Sequence, residues 1–380
     1  MRIVLSGVET NNKGAELMLY AILQEIERKF GMADVYIKPE SISQGLRYVQ
    51  TGLNLRYWPY SRFKQKYHLD GIARRLHLSR LLPMDTFGVK RADYFIDDCG
   101  FFFSDQWNID SHWLTYWERL LKRQKDNGAR IIFLPQAFGP VSKNRTRDIL
   151  SVLSTYATVI MPREQVSYNY LKEAGTVDME KVKLFPDFTS LVDGLFPAAF
   201  KHLENGVCII PNVRMIDKGV ITLDAYLKFI SSIVEETKGK GHPVYLLNHE
   251  GIDDERLAFK CRDMLKGKIE VVTGLNALEV KGLIASAFIV VSSRFHGVAS
   301  ALNSSVPCLA TSWSHKYAEL YKDYGLDDCV LDIMDIDKCL ASIQSYMEIN
   351  KNKKIRVMLE EMIPHIHERT RNMWETIWSL

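Results

Sequence analysis

Short apolar runs of strand length alternate with longer amphipathic segments through most of the chain. Residues 3–5, 92–96, 130–134, 158–161 and 182–185 read as buried strands. Helical spacing follows several of them, from 14 onward, over about 111–127 and 144–156, and from Pro162-Arg163-Glu164, which is expected to open a helix with Arg163 in its first turn. The rhythm restarts with strands expected at 207–210, 244–247, 269–272, 288–291 and 307–310, and helices near 222–238, 254–265 and 277–287. Strands that alternate with helices in this way predict parallel sheets covered by helices on both faces. The expected fold is therefore α/β, with two doubly wound Rossmann-like domains facing a cleft. Gly194, Pro197 and the polar run 201–205 mark a linker, giving domains at 1–192 and 206–352. Residues 353–380 read as one or two helices expected to pack back across the domain interface. Residues 56–91 break the alternation and read as a basic insertion in the first domain.

In an open α/β sheet, ligands sit outside the carboxyl ends of the strands. The most informative such exit is Ser292-Ser293-Arg294-Phe295-His296-Gly297. A buried strand is expected to end near Val291, with Ser292 or Ser293 capping a helix and Arg294 and His296 in its first turn. The start of a helix offers unpaired backbone N–H groups and partial positive charge. An Arg and a His placed there make a compact anion site with one group able to transfer a proton. The next exit, Ser312 to Tyr317, brings His315 and Lys316 to the same edge. Other polar residues at strand exits are Asn12, Lys13, Asp98, Gln136, Arg163, Asp187, Arg214 and His249. Clustered polar groups of this kind fit a cleft between the two halves.

Composition narrows the function classes. A net charge of +3 over 380 residues gives no argument for nucleic acid. The six cysteines are scattered without a C-x-x-C pair, which favours buried reduced thiols over disulfides or a zinc site. No G-x-G-x-x-G follows the first strand, so a dinucleotide cofactor has little support. The N-terminal run is too short for a signal peptide, and no stretch approaches the ~18 apolar residues of a membrane span. A cytoplasmic location is the expectation.

The sequence resembles the polysaccharide pyruvyl transferase family. The resemblance rests on Asn12-Lys13-Gly14-Ala15-Glu16, Gln136 to Pro140, Pro162-Arg163-Glu164 with Ser167, Pro186-Asp187, Ser292 to Gly297 with Pro307, and Lys316, in matching order over nearly the whole chain. Asp97-Asp98-Cys99-Gly100 departs from it, since many relatives carry a glycine-rich turn there. The resemblance implies a glycosyltransferase B type architecture and transfer of a pyruvyl group from phosphoenolpyruvate to two hydroxyls of a sugar, forming a ketal in cell-surface or exopolysaccharide synthesis. Phosphoenolpyruvate is then the donor substrate, and neither cofactor nor metal is expected. Under that reading His296 is the general acid. Arg294 and Arg163 grip phosphate and carboxylate, Lys316 and Ser293 add donor contacts, and His249 or His315 takes the hydroxyl proton. Asn12, Lys13, Asp98, Gln136 and Arg214 line the acceptor side or cleft, while Asp187 either joins them or fixes the domain junction. Two alternatives remain: a nucleotide-sugar-dependent glycosyltransferase of the same fold, and a non-catalytic member that binds an acidic sugar. The acceptor is a sugar, either lipid-linked or nucleotide-linked. Residues 62–91 hold eight Lys or Arg against two Asp among many Leu and aromatic side chains. They either contact the inner face of the membrane or pack on the first domain.

Overall fold

The structure is a computed structural model that describes residues 1–37, 47, 51–57, 84–85, 88–89, 92–107, 109–311, 316–327 and 329–380. The chain divides into two compact units, Met1–Thr10 with Met18–Asp187 and Asn372–Leu380, and Asn11–Leu17 with Phe188–Arg371. The division thus falls at Asp187, before the linker expected at 193–205. The first turn of the first helix groups with the second unit.

The first unit begins with β1 (Arg2–Ser6), which leads into α1 (Lys13–Phe30), β2 (Asp34–Ile37) and the two-residue β3 (Arg56–Tyr57). A small antiparallel pair, β4 (Met84–Asp85) and β5 (Gly88–Val89), is with β3 the described part of the basic insertion. Then follow β6 (Tyr94–Asp97), α2 (Ser111–Asp126), β7 (Arg130–Gln136), α3 (Asn144–Tyr156), β8 (Val159–Pro162) and α4 (Gln165–Ala174). The main sheet is parallel with order β3-β2-β1-β6-β7-β8. Counted along the main sheet this is 3-2-1-4-5-6, the Rossmann order, and the order reverses between β1 and β6. The strands read as unbroken apolar runs because helices cover both faces. Ile131, Ile132, Phe133 and Leu134 of β7 are all fully buried. Helix α2 starts where the Asp110 carboxylate accepts from Trp113 N at 3.0 Å, and it buries Trp117, Leu120 and Leu121.

Two expectations are corrected here. Residues 182–185 are not a strand, and only Val182 makes an isolated bridge, to Ile160. Leu184 and Phe185 stay half-exposed, and Pro186 has no N–H to continue a ladder. Strands β2 and β3 did not stand out in the sequence, because β3 is two residues long at the sheet edge.

The second unit repeats the plan with β9 (Val207–Ile210), α5 (Arg214–Asp217), α6 (Leu223–Thr237), β10 (Val244–Leu247), α7 (Gly251–Met264), β11 (Glu270–Val272), α8 (Ala277–Ala285), β12 (Ile289–Ser292), α9 (Phe295–Asn303), β13 (Cys308–Thr311), α10 (Lys316–Asp323), β14 (Val330–Leu331) and α11 (Ile336–Met347). Its sheet order, β11-β10-β9-β12-β13-β14, is again 3-2-1-4-5-6, with the reversal between β9 and β12. Helix α6 lays Tyr226, Phe229, Ile230, Ile233 and Val234 into the core. Helix α8 opens with a capping box between Asn276 and Glu279. The C-terminal segment is one helix, α12 (Ile349–Trp378), with Pro364 inside it. Its residues to Arg371 belong to the second unit and the rest to the first. There Trp378 packs on Phe30 and Tyr94, with ring centroids 5.0 and 5.2 Å apart.

Candidate active site

Each sheet gathers polar side chains where its strand order reverses. In the second unit β12 ends at Ser292 and α9 starts at Phe295, so Arg294, in extended backbone conformation, is the boundary residue. The expected serine cap is absent. Ser292 Oγ accepts from Arg294 N at 3.0 Å and bonds the Arg294 carbonyl at 2.9 Å, which consumes it in the turn. The Ser293 hydroxyl lies between Tyr226 Oη at 2.7 Å and Thr311 Oγ1 at 2.5 Å. Its carbonyl accepts from Asn212 and Tyr317, each at 2.8 Å. Ser293 thus ties the exits of β9, β12 and β13 together.

Arg294 is 8% exposed, and three of its guanidinium nitrogens meet carboxylates. Nε and one terminal nitrogen form a fork on Asp254 at 2.8 and 2.7 Å, and the other terminal nitrogen binds Glu250. Asp254 is fully buried and also accepts from Val213 N at 2.9 Å. Glu250 accepts from the Asn12 amide at 2.9 Å. Burial pushes both carboxyl groups above the usual carboxylate range despite the pull of Arg294. Burial would lower the guanidinium pKa, but Asp254 and Glu250 more than offset it and hold Arg294 charged.

The start of α1 completes this cluster. Asn12 Oδ1 accepts from Gly14 N at 2.8 Å, Lys13 N donates to the His249 carbonyl at 3.0 Å, and Lys13 Nζ pairs with the buried Glu16 at 2.6 Å. Gly14 sits directly against the imidazole of His296. A Cβ built there would lie 2.1 Å from Nδ1, so only glycine permits this approach. His296 is half-buried, in the first turn of α9 as expected. His249 is buried, and desolvation first, then Arg294, His296 and Lys13, pushes its pKa well below the usual imidazole value. It is neutral at physiological pH and so does not serve as a cationic acid. Lys316 lies 5.5 Å from the Phe295 ring centroid, while Arg214 is exposed and paired with Asp217 at 3.0 Å. His315 lies outside the described residues.

In the first unit the exits of β6, β7 and β8 carry Asp97, Asp98, Gln136, Arg163 and Glu164, with Asp187 farther along the chain. Gly7, at φ +78°, lets the β6 exit pack on the β1 exit, since a Cβ there would lie 2.5 Å from Cys99 N. Arg163 is 5% exposed and contacts Glu164 and Asp187, each at 3.4 Å. The expectation that it sits in a helix's first turn is corrected, because Glu164 is the N-cap of α4 and Arg163 precedes it. Asp97 is fully buried, with Cys99 N at 3.3 Å and Cys99 Sγ at 3.2 Å from its oxygens. Asp98 is 2% exposed, and neither carboxyl oxygen has a hydrogen-bond partner among the described residues. Burial first, then Asp97 and Asp187, holds the Asp98 carboxyl well above the usual range, and Arg163 only partly opposes this. A protonated Asp98 offers one O–H donor and an acceptor.

The sequence reading brought Arg294, His296, His249 and Asn12 to one place but missed the carboxylates that hold Arg294. Glu250 and Asp254 stand four residues apart at a strand exit, the spacing that sets two side chains on one helix face, and this was the available signal.

The family model described as polysaccharide pyruvyl transferase matches residues 12–315. The amylovoran biosynthesis protein AmsJ of Erwinia amylovora is 22% identical over 325 residues, covering 77% of this chain and 76% of AmsJ. Among solved structures, Anabaena HepE in complex with UDP-glucose aligns over all of both chains with a TM-score of 0.64 at 12% identity. The UDP-GlcNAc 2-epimerase of Methanocaldococcus jannaschii covers 90% of this chain and 92% of its own at a TM-score of 0.56 and 11% identity. The lipopolysaccharide outer core galactosyltransferase WaaB gives 0.53 at 12% identity over 100% of this chain and 99% of its own. These likenesses place both units in the glycosyltransferase B type of fold.

Proposed function

Because the chain belongs to the polysaccharide pyruvyl transferase family, we propose that it transfers a pyruvyl group from phosphoenolpyruvate to two hydroxyls of a sugar acceptor in exopolysaccharide synthesis. The observation that carries this reading is the cluster of the second unit that brings Arg294, Lys13, His296 and the neutral His249 together at the start of α9, with Lys316 acting on the neighbouring Glu250.

The chemistry follows from the charges. His296 gives a proton to the methylene carbon of phosphoenolpyruvate, and positive charge develops on the neighbouring carbon. One sugar hydroxyl adds there and releases its proton to a base, for which the neutral His249 is the described candidate. The carbon–oxygen bond to phosphate then breaks, and a second hydroxyl takes its place, its proton leaving with the phosphate. A cyclic ketal and inorganic phosphate result, with no change of oxidation state across the sum of donor and diol. Arg294 and Lys316 stabilise the donor's negative groups. The buried Asp98 and Gln136 suit uncharged hydroxyls, which need donors and acceptors rather than net charge. We assign the protein to the cytoplasm, with any membrane contact resting on residues 62–91, nearly all of which lie outside the described residues. Among the described residues no helix is long and apolar enough to cross a membrane.

Phosphate release from phosphoenolpyruvate, measured against a panel of lipid-linked and nucleotide-linked sugars, tests the reading. Release that depends on one acceptor and survives EDTA is expected. Glycosyl transfer from a nucleotide sugar without use of phosphoenolpyruvate would overturn it in favour of a glycosyltransferase.

A further inference from the structure

We propose that the Glu250 carboxylate is a resident counter-ion in the Arg294 anion seat, exchanged for the anionic substrate when it binds. The proposal rests on Arg294 being part of the donor site. Arg294 has two carboxylate partners that differ in kind. Asp254 is fully buried, takes the guanidinium fork at 2.8 and 2.7 Å, and is fixed from behind by Val213 N at 2.9 Å. It is a permanent partner that no ligand can replace without opening the core.

Glu250 is placed otherwise. It is the residue before α7, its side chain is 22% exposed, and it does not cap that helix. Its described partners are one terminal nitrogen of Arg294 and the Asn12 amide at 2.9 Å. Arg214 and Lys316 also act on it as positive charges. A carboxylate therefore already occupies the point where a guanidinium nitrogen, an amide donor and two further cations converge. A substrate carboxylate or phosphate would use the same donors. Both anions cannot share the terminal nitrogen of Arg294 without strong like-charge repulsion, so binding requires Glu250 to swing out through its exposed side. Left in place, Glu250 keeps Arg294 and Asn12 oriented in the empty protein, at the cost of competing with the donor. It acts as a positioning residue and lowers donor affinity.

Isothermal titration of the full chain with inorganic phosphate and, separately, with phosphoenolpyruvate tests this. Inorganic phosphate reads the seat, and phosphoenolpyruvate reads the donor assignment. Glu250→Gln keeps the shape and an acceptor oxygen but removes the competing charge, so phosphate should bind about tenfold tighter, the size of one charge-assisted hydrogen bond. In turnover the same variant should lower KM for phosphoenolpyruvate without raising kcat. Asp217→Asn, which removes a nearby carboxylate that pairs with Arg214 and not with Arg294, should change affinity less than about twofold. Tighter phosphate binding with no response to phosphoenolpyruvate would keep the exchange and discard the donor. Phosphate affinity that is unchanged, weakened or undetectable in Glu250→Gln would overturn the exchange. Equal tightening in Asp217→Asn would also overturn it, by reducing the effect to a general field. Glu250→Ala should behave as Glu250→Gln does. Failure of both to fold would make Glu250 a structural partner like Asp254 and overturn the proposal as well.

Discussion

Arg163 and Arg294 stand just past the ends of buried parallel strands, β8 and β12, in two units with the same strand order, yet they meet their carboxyl partners differently. Around Arg163 carboxyl groups are in excess: Asp98, Glu164 and Asp187 surround one guanidinium, with Asp97 beside Asp98. Around Arg294 the charges are matched: Glu250 and Asp254 face its guanidinium, Lys13 pairs with Glu16 and Arg214 with Asp217, with Lys316, His249 and His296 nearby. Burial is the first cause of the titration shifts in both units, and neighbouring like charges add to it. A buried acid in the first unit is pushed toward its neutral form, and a buried base in the second is pushed toward its own. One scaffold used twice thus surrounds its two arginines with different sets of charged and polar side chains.

The largest effect should come from removing the acid of the second unit's cluster. His296→Ala is expected to lower kcat by about 10²–10⁴ with little change in stability, and His296→Gln should not restore it. Near-normal turnover in either variant would take His296 out of the mechanism and dissolve the contrast between the units.

The two arginines should also differ in what they hold. Arg294→Ala leaves the fully buried Asp254 without its fork, at a cost of about 3–5 kcal/mol in urea unfolding. Arg294→Lys should recover little of this, because an ammonium cannot reproduce a two-point contact. Arg163 makes single contacts at 3.4 Å, so Arg163→Lys should cost less than about 1.5 kcal/mol. Equal losses in the two Lys variants would contradict the distinction.

Gly14 gives a geometric test of the second cluster. A Cβ there would overlap the His296 ring, so Gly14→Ala should displace the imidazole and lower turnover by about 10², while the start of α1 tolerates alanine well. The check is kcat together with far-ultraviolet circular dichroism, and unchanged kcat would show that the ring has room to spare.

Much of this was legible in sequence, for reasons that differ by element. The long buried strands such as β7 and the helices with a clean period, such as α3, are where the pattern put them, because burial on both faces leaves no polar residue to blur it. Edge strands β3 and β14 are too short to make a pattern, and 182–185 bonds the edge of β8 without extending into a ladder. Arg294 and His296 were visible because a strand exit rich in chemistry is unusual. Their partners Glu250 and Asp254 were not, since they come from another strand exit, and the Gly14 contact joins that glycine to His296, far along the chain. Periodicity reports which face is buried, whereas a site is assembled from contacts that no local pattern encodes.

The smallest effect is the most direct reading of the acid-rich side. Asp98 is buried and its carboxyl is held well above its ordinary value, so the folded protein binds that proton more tightly than the unfolded chain does. Stability linked to this group is therefore present below the unfolded value of about 4 and is lost as pH rises toward the folded value, at up to about 1.4 kcal/mol per pH unit. Asp98→Asn keeps the shape and a donor but has no proton to lose. The variant and the wild type should unfold at similar temperatures near pH 4, and the variant should become the more stable of the two as pH rises to 8. Taking the difference between the two proteins at each pH cancels His249 and the other titrating groups they share. A difference that does not grow with pH, or a variant less stable at pH 8, would mean that Asp98 is charged in the folded protein. The first unit would then hold a second ionic site, and the contrast between the two arginine clusters would be lost.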